Sequence, residues 1–142
     1  MTGNIQNILM VDDDADDQLL FRNALSQINS KVNVHTANNG AVALKQIEVP
    51  PPPDLIFLDL NMPVMNGYEC LKALKNRDRY KDIPVVIFTT TNDHAAIEET
   101  RQMGASAFFH KPVEFDKLRE KLHHLLGFIC GGKENVAPGF VV

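Results

Sequence analysis

The chain has 142 residues, which is enough for one domain with a substantial hydrophobic core and too few for two domains of ordinary size. Hydrophobic residues make up 44% of the sequence and charged residues 23%, an ordinary balance for a folded globular protein. The formal net charge of −4 gives no basic surface, so we expect neither nucleic acid nor an anionic membrane as a partner. The two cysteines lack metal-ligand spacing, and the sequence shows neither a secretory leader nor an apolar run of membrane length. It therefore predicts a cytoplasmic protein.

Short apolar segments alternate five times with segments of helical periodicity. Strands are predicted at 7–12, 32–36, 54–60, 84–89 and 106–111, and the third and fourth are almost continuously apolar, as in strands buried on both faces. Apolar residues three and four apart predict helices at 17–28, 40–48, 67–77, 94–103 and 115–126.

Strict alternation of strand and helix specifies an α/β fold, a doubly wound five-stranded parallel sheet with helices on both faces. We expect residues 1–126 to form this domain. Residues 127–142 are rich in glycine and lack periodicity, so they are predicted to form a mobile tail. Ligands of such sheets bind beyond the carboxyl ends of the strands, where the strand order reverses.

Charged and hydroxyl side chains stand at those ends. The first strand runs into "VDDDADD", the third ends in Asp59, the fourth in Thr89 and the fifth in Lys111. Adjacent carboxylates are costly to bury without a cation, and hard oxygen ligands suit Mg²⁺. A calcium loop of the EF-hand type starting at Asp12 is excluded, because such a loop needs glycine where this chain has Asp17 and glutamate where it has Asn23. For Asp16 and Asp17 we expect only the favourable placement of acidic groups at a helix start.

Four motifs, "ILMVDDD", "DLIFLDLNMPVMNGYE", "PVVIFTT" and "GASAFFHKPV", occur in this order. Together they resemble the receiver domain of two-component response regulators, over about residues 7–126. The resemblance implies a flavodoxin-like fold and a phosphorylation switch that takes a phosphoryl group from a sensor histidine kinase. Because no further module follows the motifs in this sequence, the chain resembles a stand-alone receiver.

The resemblance also assigns the acceptor and the metal ligands. Asp59 matches the phosphoacceptor. Asp12 and Asp13 match the acidic pair that holds Mg²⁺, with Asp13 as the direct ligand and Asp12 acting through water. Asn61 matches the position whose backbone carbonyl reaches the metal, and Lys111 matches the lysine that contacts the phosphoryl group.

Further positions match the switch. Thr89 matches the hydroxyl residue that moves toward the phosphoryl group, and Phe108 matches the residue that follows it, although plain core packing would also explain this ring. Asn61 and Thr91 match positions that tune hydrolysis in relatives. The Lys111–Pro112 bond matches one that is typically cis in the family.

Other functions stay open at this point. A haloacid-dehalogenase-like phosphohydrolase would use Asp12 and Asp14, but Asp16 stands where threonine or valine is expected, and no acidic pair follows Lys111. A receiver-like binding scaffold without phosphorylation is the other alternative. We expect no enzyme beyond self-phosphorylation and slow acyl-phosphate hydrolysis. The downstream partner is not specified, and a homodimer through the fourth helix, fifth strand and fifth helix is left open.

Overall fold

The computed structural model describes residues 5–131 and 139–142, and for residues 130 and 131 only the helical backbone. Strands and helices alternate as predicted. The strands are β1 (Asn7–Val11), β2 (Asn33–Ala37), β3 (Leu55–Leu58), β4 (Val85–Thr89) and β5 (Ala107–His110). The helices are α1 (Ala15–Ile28), α2 (Gly40–Gln46), α3 (Gly67–Lys75), α4 (His94–Gln102) and α5 (Phe115–Gly131).

All strand pairings are parallel, in the order β2-β1-β3-β4-β5. The chain builds outward from β1 to β2 and then crosses to the other side of β1 to place β3. The strand order therefore reverses between β1 and β3, and β3 is the central strand. The predicted doubly wound parallel sheet is confirmed.

Two hydrophobic clusters cover the faces of the sheet. One packs the sheet against α2, α3 and α4, and the other packs it against α1 and α5. In the second cluster, edge-to-face ring pairs join Phe21, Phe57, Phe88 and Phe109. Truncating one such ring to alanine costs about 3–5 kcal/mol, so these rings hold the central strands in place.

Side-chain caps fix where the helices start. The Asp14 carboxylate accepts the backbone N–H groups of Asp16 and Asp17 and thereby starts α1. Asn66 and Glu69 form a reciprocal capping box at the start of α3. These caps set the directions in which α1 and α3 leave the strand ends that precede them.

The described structure differs from the prediction in three places. Helix α5 continues to Gly131, so the predicted domain end at residue 126 falls inside a helix. Among the described residues, the cis peptide bond is Pro50–Pro51, so the expectation of a cis Lys111–Pro112 bond is wrong. Of the predicted tail, residues 132–138 lie outside the described residues and residues 140–142 contact β5. The mobility of the tail stays a prediction.

No helix in the described part of the chain is both long and apolar enough to cross a membrane.

Candidate phosphoacceptor and metal site

Three carboxylates meet at the point where the strand order reverses. Asp12 follows β1 and Asp59 follows the neighbouring strand β3, whose last residue Leu58 is in register with Val11. One oxygen from each of Asp12, Asp13 and Asp59 lies within 4.8 Å of the others. Asp12 and Asp59 are buried whereas Asp13 is exposed, so the group is open to solvent on one side.

Lys111 supplies the positive charge of the group. Its Nζ donates hydrogen bonds to Asp12 Oδ2 at 2.7 Å and to Asp17 Oδ2 at 2.8 Å, and it lies 3.4 Å from Asp59 Oδ2. The Lys111 backbone N–H donates to the carbonyl of Thr89 at 2.7 Å, which extends the β4–β5 pairing into the site. The ammonium group thus reaches the acidic pocket although the Lys111–Pro112 bond is trans.

The contact between Asp17 and Lys111 was not predicted, because only a helix-start role was expected for Asp17. Its backbone N–H does contact the Asp14 cap, but its half-buried side chain turns inward to Lys111. A signal for this was available in the sequence: the first turn of α1 follows the first strand end by only three residues, so its inward side must border the site.

Burial dominates the proton affinity of Asp12. It raises the pKa of this carboxyl to about 6, against the opposing effects of the Lys111 ammonium and the Asp14 N–H. Burial alone would lower the pKa of Lys111, but its hydrogen bonds to Asp12 and Asp17 outweigh this and raise the pKa above its ordinary value. Lys111 therefore stays charged at every relevant pH, and Asp12 is ionised at neutral pH but close to its titration range.

Asp59 is fixed through both of its oxygens. Oδ1 accepts the backbone N–H of Leu60 at 2.8 Å, and Oδ2 faces Lys111. The loop that follows folds back tightly, because the Gly67 N–H donates to the Leu60 carbonyl at 3.0 Å. A Cβ on Gly67 would lie 2.1 Å from the Asp59 backbone oxygen, so only glycine fits there. This role of Gly67 was also missed, although the "NG" pair at 66–67 marks a close turn.

The other predicted residues border this group. Thr89 is fully buried at the end of β4, and its Oγ1 accepts a long hydrogen bond of 3.5 Å from the Thr91 N–H. Thr91 is half-buried, and Asn61 is exposed two residues beyond Asp59. Phe108 is fully buried in β5 and is in register with Ile87 of β4.

A parallel doubly wound sheet that gathers carboxylates, a lysine and a buried hydroxyl at its carboxyl edge defines a class of phospho-accepting signalling domains. The chain belongs to the response regulator receiver domain family, whose model matches residues 8–123. It is a phospho-accepting switch of two-component signalling, and nothing in these comparisons supports the phosphohydrolase alternative.

Similar proteins cover almost the whole chain. Sporulation initiation phosphotransferase F of Bacillus subtilis is 35% identical over 123 residues, which are 85% of this chain and 94% of that protein. The phosphorylated cyanobacterial phytochrome response regulator RcpA has a TM-score of 0.84 at 25% identity and covers 92% of this chain and 97% of its own. The Mn(2+)-bound form of response regulator Rcp1 has a TM-score of 0.80 at 25% identity and covers 93% of this chain and 97% of its own.

Proposed function

We propose that Asp59 is the phosphoacceptor of this switch and that a sensor histidine kinase is its donor. One observation carries the proposal: Asp59 directly follows the central strand, with two further carboxylates and the Lys111 ammonium beside it. A carboxylate is a competent nucleophile for phosphorus. The Lys111 ammonium supplies part of the charge compensation that an incoming phosphoryl group needs in this acidic pocket.

We propose Mg²⁺ as the cofactor, with Asp12, Asp13, Asp59 and the backbone carbonyl of Asn61 as the groups that would hold it. The donor set fits, because it consists of hard oxygen atoms and keeps one side open for water and phosphate oxygens. When bound, the ion neutralises negative charge in the pocket. The similar response regulator Rcp1, solved in its Mn(2+)-bound form, supports a divalent cation in such a fold.

The transfer itself is a single displacement. A carboxylate oxygen of Asp59 forms a bond to phosphorus while the bond from phosphorus to the donor's histidine nitrogen breaks. The electron pair stays on that nitrogen, which takes a proton from water. The Lys111 Nζ, which lies 3.4 Å from Asp59 Oδ2, is close enough to pair with an oxygen of the transferred group.

The switch uses the residues behind the acceptor. Within the described residues the Thr89 hydroxyl makes a single long hydrogen bond, which it accepts from the Thr91 N–H, so its own proton can be donated to a phosphoryl oxygen. Phe108 lies on the adjacent strand and follows a movement of β4. Asn61 and Thr91 flank the pocket and tune the slow hydrolysis of the acyl phosphate, which is the only turnover that we propose.

The kinase and the downstream protein are proposed as classes only. We keep a homodimer through α4, β5 and α5 as one route of output, with a cytoplasmic location for the whole exchange. Neither nucleic acid nor membrane is proposed as a partner of this acidic chain.

Intact mass spectrometry after incubation with acetyl phosphate tests the acceptor. We expect one phosphoryl adduct with Mg²⁺, none with chelator and none for Asp59→Asn with Mg²⁺. Asp78→Asn is the matched control, since this carboxylate is almost fully exposed in the turn after α3 and its partner among the described residues is Lys81. An adduct on Asp59→Asn would move the acceptor elsewhere. If no folded sample carries a phosphoryl adduct, the binding-scaffold alternative is favoured.

A further inference from the structure

The outer edge of β5 pairs with a short extended segment of the chain through a single β-bridge. β5 is the last strand of the sheet, so its side away from β4 has no neighbour within the sheet. The Phe108 N–H donates to the Phe140 carbonyl at 2.8 Å, and the Phe108 carbonyl accepts from the Val142 N–H at 2.8 Å. These two bonds form a parallel bridge between Phe108 and Val141. We call residues 139–142 the C-terminal segment.

Side chains of the C-terminal segment contact both faces of the sheet. Phe140 packs on the cluster under α2, α3 and α4, with its ring 6.4 Å from that of Phe108 and 5.0 Å from the guanidinium carbon of Arg101. Val142 packs on the opposite cluster, beside α5. The segment therefore contacts both faces at the sheet edge, and its Phe140 ring lies between the Phe108 ring and the Arg101 guanidinium group.

The edge has more room than the C-terminal segment fills. A shallow, open groove of about 380 Å³ lies between the segment and α5, lined by Glu120, Lys121, His124, Val141 and Val142. Val141 itself is 46% exposed. An incoming strand with larger side chains at these positions would find both apolar and charged groups to contact.

The strand pairing of the docked segment is short. Among the described residues it consists of two backbone hydrogen bonds, both to Phe108. Gly139 enters it with φ +84, in the left-handed region that favours glycine. A Cβ built on Gly139 would meet no heavy atom of the described residues within 4 Å, apart from its chain neighbours, so the strain of a substitution there comes from the backbone and not from a clash.

We propose that the outer edge of β5 is a strand-addition site, that the C-terminal segment is its intrachain occupant, and that this occupant competes with an extended apolar segment of a partner protein. Backbone pairing to an exposed sheet edge supplies affinity in such sites, and side-chain pockets supply selectivity. The partner segment needs an aromatic residue in the position of Phe140, between Phe108 and Arg101. The site exists in the unphosphorylated protein, so it does not depend on Asp59 as acceptor.

Amide hydrogen exchange tests the intrachain contact. We compare the full chain with a chain that ends at residue 138, both without phosphodonor. We expect the Phe108 amide to exchange at least tenfold faster in the shortened chain, because its acceptor is gone. The Ser106 amide is the internal control: it donates to Val85 on the other side of the strand and keeps its rate. Equal exchange of Phe108 in both chains would overturn the proposal.

Single substitutions distinguish the effect of side-chain docking from the effect of removing residues 139–142 altogether. Phe140→Ala and Gly139→Ala are expected to speed the exchange of the Phe108 amide, the first by removing the ring and the second by straining the backbone. Val113→Ala is the matched control, since this residue is fully exposed and lies outside the C-terminal segment. If all three variants behave alike, side-chain docking is not what protects the edge, and the proposal fails.

Competition is measured with a synthetic peptide of residues 134–142, "ENVAPGFVV". At millimolar concentration we expect it to shift the Phe108 amide resonance of the shortened chain and to leave that of the full chain unchanged, because a tethered occupant has a high effective concentration. Equal shifts in both chains, or none in the shortened chain, would refute competition. Light scattering completes the test by giving the oligomeric state of both chains. If the full chain is a dimer and the chain that ends at residue 138 is a monomer, the segment docks between copies, and the intrachain assignment is overturned.

Discussion

The ammonium nitrogen of Lys111 lies 2.7 Å from a carboxylate oxygen of Asp12, in a pair whose side chains are 8% and 0% exposed. This one cation also contacts Asp17 and Asp59. A single lysine thus offsets part of the negative charge of three neighbouring carboxylates.

Removal of that lysine should destabilise the metal-free protein. In chelator, Lys111→Met is expected to lower the free energy of unfolding by about 3 kcal/mol, since it leaves buried carboxylates uncompensated. Lys117→Met on the exposed side of α5 is the control and should change little. Urea denaturation measures both. Equal effects of the two substitutions would mean that Lys111 is not needed to balance the acidic group.

Metal affinity should depend on pH through Asp12. A ligand must be deprotonated to bind a metal ion, and the pKa of Asp12 is raised to about 6 by burial. We expect Mg²⁺ affinity to be almost constant above pH 7 and about tenfold weaker at pH 5, because only about one carboxyl in ten is then ionised. Calorimetric titration at pH 5, 6 and 7.5 checks this. A constant affinity over that range would contradict a role of Asp12 near the metal.

The same pKa has a consequence for folding stability without metal. In the folded chain Asp12 keeps its proton up to about pH 6, whereas the ordinary pKa of an unburied aspartate is 3.8. The folded state therefore binds more protons between these values, and this group's contribution to stability falls as the pH rises through the window. The free energy of unfolding of Asp12→Asn, relative to that of the wild type, should therefore rise by on the order of 2 kcal/mol from pH 4 to pH 7 in chelator. Thermal unfolding with Asp78→Asn as control measures the difference.

Gly67 should be sensitive to a single methyl group. In Gly67→Ala the new Cβ meets the Asp59 backbone oxygen at 2.1 Å, and this oxygen cannot move without displacing the acceptor. We expect a loss of about 3 kcal/mol in stability and slower phosphorylation by acetyl phosphate. Gly127→Ala in α5 is the control: its Cβ meets nothing within 4 Å, and alanine should stabilise the helix by about 0.5–1 kcal/mol. Equal behaviour of the two variants would remove the steric argument.

Substitution of Thr89 should distinguish phosphorylation of Asp59 from the structural response to it. Thr89→Val keeps the shape of this fully buried side chain and removes the hydroxyl. We expect the adduct on Asp59 still to form, while the shift of the Phe108 amide resonance that accompanies phosphorylation is lost. Thr89→Ser should restore the shift. A full response of Thr89→Val would show that the signal reaches β5 by another route.

The periodicity of the sequence was sufficient to predict the sheet, because the third and fourth strands are almost continuously apolar and each is followed by a helical repeat. The placement of Asp59, Thr89 and Lys111 at one edge followed from that architecture. The position of the Lys111 side chain among Asp12, Asp17 and Asp59 did not, since it depends on how α1 leaves its strand.

The contact of Phe140 with Phe108 could not be predicted either. Its strand pairing involves too few residues to produce an alternating pattern, and the preceding stretch contains no regular repeat. The end of α5 at Gly131 was missed for a related reason, because glycines at 127 and 131 lower helix propensity without preventing a helix that packs on the core.

The parallel pairing of β1 with β3 joins segments separated by more than forty residues, and it is this pairing that brings Asp12 to Asp59. Such non-local contacts form late and slowly when a chain folds. A partly folded chain therefore has no complete set of ligands for a divalent cation. A cation bound at the finished site should slow unfolding and leave the rate of folding almost unchanged, so the lifetime of the folded chain would depend on the concentration of that ion.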